Sequence, residues 1–261
     1  MIYPSELVIL SASGLCAGVL AGFLGIGGGV ILVPLLVALN YSPVQAVATS
    51  SLSILITALS GSFHNRRMGY ISFNRVLGIG IPALLTAQLG AYLANQFSQR
   101  SLLIAFGCLL LLNIFLVRLK QIILRRSAAA ETTSPTSSFN PVISRILTGG
   151  IAGFLAGLLG VGGGVIMVPL QVLLLNERIK TAVQTSLGVI VMTSFSACLG
   201  HAQAGNVLWI AGFLLGFGGL IGVQLSARFL PKLPEKVITL AFQLLLGILA
   251  IYVFVQAKGL Q

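Results

Sequence analysis

Hydrophobic residues occupy long stretches of the chain, and the polar and charged residues collect in the short segments between them. Six stretches are close to the roughly 20 residues that an α-helix needs to cross a bilayer, at 44–63, 76–97, 101–117, 182–200, 207–227 and 237–255. Two more apolar segments, 7–39 and 145–175, are longer but are interrupted by glycine and proline. The pattern predicts an all-α polytopic membrane protein.

The two interrupted segments repeat one another. GLCAGVLAGFLGIGGGVILVPLL at Gly14–Leu36 recurs as GGIAGFLAGLLGVGGGVIMVPLQ at Gly149–Gln171, so that the glycines and the proline coincide. Similarity continues in AVATSSLS at 46–53 and AVQTSLG at 182–188. We therefore expect two homologous halves, about 7–119 and 143–255, each of which starts with a broken segment. Such a repeat is typical of transporters whose substrate site lies between the two halves.

The longest polar stretch, RRSAAAETTSPTSSFNP at 125–141, is rich in serine, threonine, alanine and proline and has no apolar period. This composition is typical of a flexible linker. The predicted organisation is a first transmembrane repeat at 1–120, a flexible cytoplasmic linker at 121–142 and a second transmembrane repeat at 143–261.

The distribution of basic residues decides between two orientations of the halves, because lysine and arginine in short loops collect on the cytoplasmic side. If each broken segment crosses the membrane once, the halves are parallel and the basic residues divide almost evenly. If each segment re-enters, the halves are inverted, and all fifteen basic residues except Arg100 and Lys258 share one side. We prefer the inverted arrangement of five plus five helical segments, with both termini outside the cytoplasm.

Composition limits the mechanism. Hydrophobic residues make up 57% of the chain, charged residues 7%, and the mean hydropathy is +1.05. The four acidic residues are Glu6, Glu131, Glu177 and Glu235, all in terminal, linker or loop positions. This excludes a carboxylate proton relay or an acidic cation site within the membrane. The net charge of +11 reflects loops that contact anionic lipid, and we predict no nucleic-acid partner.

The glycine triplets are the candidate binding site. Glycine permits a tight reversal of the chain, and the second arm would begin near Gly28 or Gly163 with free N–H groups and a positive helix dipole end. Such an end binds anions. The candidate residues are Gly27, Gly28, Gly29, Gly162, Gly163 and Gly164. The alternative is close helix packing, which we favour for the spaced glycines that precede the triplets.

Polar side chains supply further candidates in the spans that follow each triplet. Thr49 and Ser50, with Thr185 and Ser186, could donate hydroxyl hydrogen bonds to the anion, or they could bond to their own helix or to a neighbouring one. His64 and His201 end these spans. Each could act as a gating or protonatable residue, or could cap helix carbonyls or anchor the helix at the lipid headgroups.

The paired GxxGxGGGxxxxPxL segments, the AxxTS stretch after each, and the later histidines resemble the TauE/SafE family of sulfite and organosulfur anion exporters. The resemblance implies transport of a small inorganic or organosulfur anion, in the class of sulfite, sulfonates or thiosulfate, across the bacterial inner membrane.

Two other function classes remain open on the residues alone. An anion channel of the same architecture is possible, although paired broken segments suit alternating access better. An intramembrane enzyme would need a nucleophile and a base on one helix face, and Ser60, Ser62 and His64 lack that spacing. We therefore predict a transporter and not an enzyme, with no cofactor and no metal site.

Overall fold

A computed structural model describes residues 4–24, 27–67, 72–129, 140–177, 179–229 and 235–259, and within these ranges the chain forms ten helices. They are α1 (Pro4–Leu24), α2 (Gly29–Ala38), α3 (Pro43–Arg67), α4 (Phe73–Ala94), α5 (Gln99–Ala129), α6 (Pro141–Leu159), α7 (Gly164–Leu174), α8 (Ile179–Gln203), α9 (Trp209–Phe229) and α10 (Glu235–Gly259). The predicted all-α architecture is confirmed.

Five helix segments within the described part are long and apolar enough to cross a membrane: Pro43–Arg67, Phe73–Ala94, Pro141–Leu159, Thr181–Gln203 and Trp209–Ser226. Large apolar side chains also cover the outside of the bundle. Leu85, Phe217 and Ile251 are each more than 60% exposed. An apolar outer surface of this extent is stable in lipid rather than in water.

Helix α5 extends into the segment predicted as the linker. α5 ends at Ala129 and so includes the first nine residues of the predicted linker, 121–129. Asn140 caps the start of α6 by accepting a hydrogen bond from the Val142 N–H. The segment 121–129, QIILRRSAA, consists mainly of residues with good helix propensity, which extends the preceding helix. The rest of the predicted linker, 130–139, lies outside the described residues.

The first helix of each half packs against the fourth helix of the other half. A Cβ atom on Gly14 would collide with the Leu215 carbonyl oxygen, and one on Gly18 would collide with that of Gly219. In the same way Gly149 approaches Ile79 and Gly153 approaches Ala83. The spaced glycines therefore permit close contact between α1 and α9 and between α6 and α4.

These contacts also give the relative directions of the helices. Along α1 and α9 the residue numbers of contacting residues rise together, so the two helices run in the same direction. The same holds for α4 with α6, for α3 with α9 (Leu52 at Gly212, Ile56 at Gly216) and for α4 with α8 (Val76 at Gly188, Gly80 at Met192). Between α3 and α8 the order is reversed, because Gly61 approaches Leu187 while Ile54 and Ile190 meet at Gly27.

Candidate functional site

Each predicted broken segment is interrupted at its glycine triplet. α1 ends at Leu24 and α2 begins at Gly29, and α6 ends at Leu159 and α7 begins at Gly164. Gly27 and Gly28 have φ values of 79°, and Gly162 and Gly163 have φ values of 74° and 78°. Residues with a Cβ atom rarely adopt this left-handed conformation, so the geometry accounts for glycine at these four positions.

The second helix of each segment begins beside the middle of the first. A Cβ atom on Gly28 would lie 3.1 Å from the Ala17 carbonyl oxygen, and one on Gly163 would lie 2.7 Å from that of Ala152. The chain therefore turns back on itself after α1 and again after α6. A side chain at Gly28 or Gly163 would point at the backbone of the preceding helix.

The two glycine loops meet inside the bundle. Gly27 and Gly162 both lie against the side chains of Ile54 on α3 and Ile190 on α8, near the middle of each helix. Gly29 lies against the Gly160 carbonyl oxygen. All six residues are buried. The start of α2 is thus in contact with the loop that leads into α7.

The backbone N–H groups at these helix starts carry the positive potential of the site. The first hydrogen bonds in α7 run from the Ile166 and Met167 N–H groups to the Gly163 carbonyl oxygen, at 3.2 and 2.9 Å, and α2 repeats this pattern at Gly28. The N–H groups of Gly164 and Val165 precede the helical pattern. The sequence contains no Asp, Glu, Lys or Arg in 7–65 or 146–176, so the dipole ends have no such charged neighbour within their own segments.

Two hydroxyl groups are positioned to donate hydrogen bonds to carbonyl oxygens of the glycine loops. Ser50 Oγ donates to the carbonyl oxygen of Gly160 or Val47, each at 2.9 Å, and Thr193 Oγ1 lies 3.0 Å from the Gly162 carbonyl oxygen. Sequence reasoning singled out Ser50 but missed Thr193. The signal was available, because Thr57 and Thr193 occupy equivalent positions in the two halves.

The other three predicted hydroxyl residues are buried, and Thr49 and Ser186 make hydrogen bonds outside the glycine loops. Thr49 Oγ1 accepts a 3.1 Å hydrogen bond from the Leu208 N–H at the start of α9. Ser186 Oγ donates to the Ala182 carbonyl oxygen and accepts from Gln171 Nε2, at 2.7 and 3.1 Å. Thr185 is 1% exposed. Of the four, Ser50 is the one with a hydrogen bond to a glycine loop among the described residues.

The two histidines lie in different environments. His64 is exposed at the end of α3, whereas His201 is fully buried. His201 Nε2 donates a 2.9 Å hydrogen bond to the Gly157 carbonyl oxygen, one of the last four carbonyls of α6. The carbonyl-capping alternative therefore describes His201, and the two residues do not form a symmetric pair.

A second polar region lies where the starts of α4, α6 and α8 approach the end of α7. It is a cavity of about 380 Å³ lined by Arg75, Pro141, Arg145, Leu175, Asn176, Glu177 and Thr181. Arg75 Nε lies 3.6 Å from Glu177 Oε1. Burial raises the pKa of the Glu177 carboxyl, and the charges of Arg75 and Arg145 partly oppose this. Sequence reasoning missed the region because its residues come from four separate elements.

Comparison with known proteins assigns the family. The family model described as Sulfite exporter TauE/SafE matches residues 10–253. The chain belongs to the TauE/SafE family. It is 29% identical to the probable membrane transporter protein YunE of Bacillus subtilis, over 92% of this chain and 94% of that protein. It is 24% identical to the probable membrane transporter protein MJ0441 of Methanocaldococcus jannaschii, over 94% of each chain. No solved structure matches it.

The family match, the transporter names of the relatives and the five candidate spans among the described residues identify a multi-pass membrane transporter. The family and the names of the relatives indicate a transporter rather than an enzyme. Within the described part of the chain, no three His, Cys, Asp or Glu side chains are grouped closely enough to hold a metal ion.

Proposed function

We propose that this TauE/SafE protein is a secondary transporter of small sulfur-containing anions of the sulfite, sulfonate or thiosulfate class. The observation that carries the proposal is the meeting of two glycine-capped helix starts in the buried centre of the bundle. Backbone N–H groups there attract an anion without a costly lysine or arginine in the membrane. The family description supports the sulfur-containing class.

We infer that the two halves are inverted relative to each other. α3 is antiparallel to α8, α9 is parallel to α3, and α4 is parallel to α8, so equivalent helices of the two halves run in opposite directions. In this arrangement α2 and α7 approach the centre from opposite membrane faces. The anion would then face the positive ends of two helices, with Gly29 and Val30 on one side and Gly164 and Val165 on the other.

The hydroxyl groups have two roles in this proposal. Ser50 and Thr193 hold loop carbonyls, which keeps those oxygens from repelling the anion. Thr49, Thr185 and Ser186 remain candidate ligands that would turn toward the anion when the bundle opens. Because Ile54 and Ile190 close over Gly27 and Gly162, substrate access requires α3 and α8 to separate at this level.

Membrane placement follows from charge. We propose the bacterial inner membrane, with the linker in the cytoplasm and both termini outside it. Transport should not need sodium, because Glu6, Glu177 and Glu235 all lie at helix ends or between helices rather than within a candidate span.

Reconstituted proteoliposomes test the proposal directly. The protein should take up radiolabelled sulfite and thiosulfate with saturation, and unlabelled anion inside the vesicles should accelerate the uptake of labelled anion. Replacing sodium by potassium should leave the rate unchanged. Flux without such counterflow would favour a channel of the same architecture, and absence of flux for every sulfur-containing anion would refute the proposal.

A further inference from the structure

We propose that the cavity between α4, α6, α7 and α8 is a vestibule that captures the anion on the linker side. Arg75 and Arg145 attract a small oxyanion there. Glu177 forms an ion pair with Arg75 until the arriving anion displaces the carboxylate. This inference rests on the proposed anion transport and adds a second binding site and a side of preferred loading.

The position of each arginine favours contact with a small anion. Arg145 crosses the open face of Gly78, where an added Cβ atom would lie 3.3 Å from the arginine Cδ. The arginine Nη1 atom would lie 3.7 Å from the same Cβ atom, so the Arg145 side chain packs along α4 at the cavity wall. Arg75 is 43% exposed and therefore remains accessible to solvent. Two guanidinium groups at one small cavity match the oxygens of a sulfur oxyanion.

The ion pair between Arg75 and Glu177 is long and leaves one carboxylate oxygen without a hydrogen-bond partner. The Arg75 Nε to Glu177 Oε1 distance of 3.6 Å is longer than a charge-assisted hydrogen bond. The other carboxylate oxygen, Glu177 Oε2, is buried and has no hydrogen-bond partner. A carboxylate held in this way is an internal competitor for Arg75, and a better-placed oxyanion would displace it.

The two arginines of the cavity have no basic counterpart at the opposite end of the pseudo-symmetric bundle, where Glu6 lies near Tyr41. The repeat places Leu10 where the second half has Arg145, and the equivalent packing of α4 and α9 places Ala211 at the position of Arg75. The segment that corresponds to Glu177 contains Tyr41 and Ser42. Because packing of the repeats does not require these charges, they indicate a function specific to the side on which Pro141 follows the linker.

Polar residues continue inward from the cavity. One helical turn deeper lie Thr148 on α6, Gln171 on α7 and Thr185 on α8, all at most 1% exposed. Thr148 Oγ1 and Gln171 Oε1 are buried without a hydrogen-bond partner. The next turn is the apolar layer of Ala152, Met167 and Val189, which touches the loop at Gly163. The vestibule is thus separated from the proposed central site by one closed apolar layer.

Thiol labelling measures the potential in the cavity without any transport. In full-length protein with Cys16, Cys108 and Cys198 replaced by alanine, Thr181→Cys places one thiol at the vestibule. Gln45→Cys is the matched control, since Gln45 is the counterpart of Thr181 and is also half-buried. An anionic sulfonatoethyl methanethiosulfonate should react faster than its cationic trimethylammonioethyl analogue at Thr181→Cys, relative to Gln45→Cys.

Second substitutions in the Thr181→Cys protein identify the charged side chains that determine the labelling ratio. Adding Arg145→Gln to Thr181→Cys should lower the ratio of anionic to cationic labelling, Arg145→Lys should preserve it, and Glu177→Gln should raise it. Two results would overturn the vestibule proposal. One is an equal ratio of anionic to cationic labelling at Thr181→Cys and Gln45→Cys. The other is a ratio that Arg145→Gln does not change in protein that still elutes as a folded species.

Transport assays distinguish the vestibule proposal from the proposed anion transport on which it rests. Arg145→Gln should raise the KM for thiosulfate from the linker side by about tenfold and leave kcat unchanged, whereas Arg100→Gln at the opposite end should change neither. An unchanged KM in Arg145→Gln would refute capture of substrate at this cavity. If the unsubstituted protein moves no sulfur-containing anion, the proposed function fails, and the labelling ratios still decide whether the cavity attracts anions.

Discussion

Ser50 and Gly160 lie 110 residues apart in the chain, and the Ser50 hydroxyl is positioned to donate a 2.9 Å hydrogen bond to the Gly160 carbonyl oxygen. The bond joins α3 of the first half to the glycine loop of the second half. Both residues are buried, so water does not replace the bond if it is lost. The contact therefore couples the position of α3 to the shape of the loop that precedes α7.

Removing this hydroxyl should weaken both the fold and the site. In Ser50→Ala the Gly160 carbonyl oxygen becomes buried and unpaired, which should cost about 1–3 kcal/mol of stability. We expect a lower thermal unfolding temperature in detergent and a lower affinity for sulfite.

Ser51→Ala is the matched control for this variant. Ser51 is 2% exposed, and its hydroxyl donates within α3 to the Val47 carbonyl oxygen at 3.0 Å. This variant should be milder in both measurements. Equal losses in Ser50→Ala and Ser51→Ala would contradict a specific role for the contact between the halves.

The extent to which the sequence predicts the site depends on the kind of residue. Gly28 and Gly163 were predictable because a repeated glycine triplet in an apolar segment has few structural explanations. Ile54 and Ile190, which pack on both loops, were not predictable, since isoleucine in a span gives no signal that separates a site from lipid contact. The ion pair of Arg75 and Glu177 was equally hidden, because nothing in a single sequence links two charges so far apart.

The repeat also predicts symmetry where the structure has little. His64 and His201 follow equivalent spans, yet one is exposed and the other is buried against α6. A shift of one residue relative to the repeat explains this, because Gly200 is the position that matches His64 when Thr49 is aligned with Thr185. On a helix, a shift of one residue turns a side chain by about 100°.

The left-handed glycines should be intolerant of any side chain. Alanine in the left-handed region costs about 1–2 kcal/mol. In Gly163→Ala the new Cβ atom would also lie 2.7 Å from the Ala152 carbonyl oxygen, and in Gly28→Ala 3.1 Å from that of Ala17. We expect the larger loss of thermal stability in Gly163→Ala. Valine at either position should fail for the same reason, so valine variants report on folding before they report on binding.

Gly205→Ala separates the effect of backbone strain from the effect of a steric clash with a neighbouring helix. Gly205 has a φ of 72°, and an added Cβ atom would meet nothing within 4 Å. This variant should lose stability through strain alone and keep its anion affinity. If Gly163→Ala is no less stable than Gly205→Ala, the close approach of the loop to α6 is not a constraint on the fold.

Topology can be tested with reporter fusions. An alkaline phosphatase fused after Gln261 should be active, because we expect the C-terminus to lie outside the cytoplasm, and one fused at Ser134 in the linker should be inactive. Green fluorescent protein at the same positions should give the opposite result. If the reporters at both positions indicate the same compartment, the inverted arrangement is wrong and the parallel arrangement of the halves is favoured.

The ionisation of Glu177 should make anion capture depend on pH. Burial raises the pKa of this carboxyl, while the charges of Arg75 on α4 and Arg145 on α6 partly oppose the rise. As the pH falls through the raised pKa, the carboxylate is neutralised, Arg75 is released and the cavity becomes more positive. The affinity for thiosulfate, whose own charge is constant in mildly acidic to neutral solution, should therefore increase as the pH falls. Glu177→Gln should bind at the low-pH level at every pH, and a pH dependence in this variant equal to that of the unsubstituted protein would assign the titration to another group.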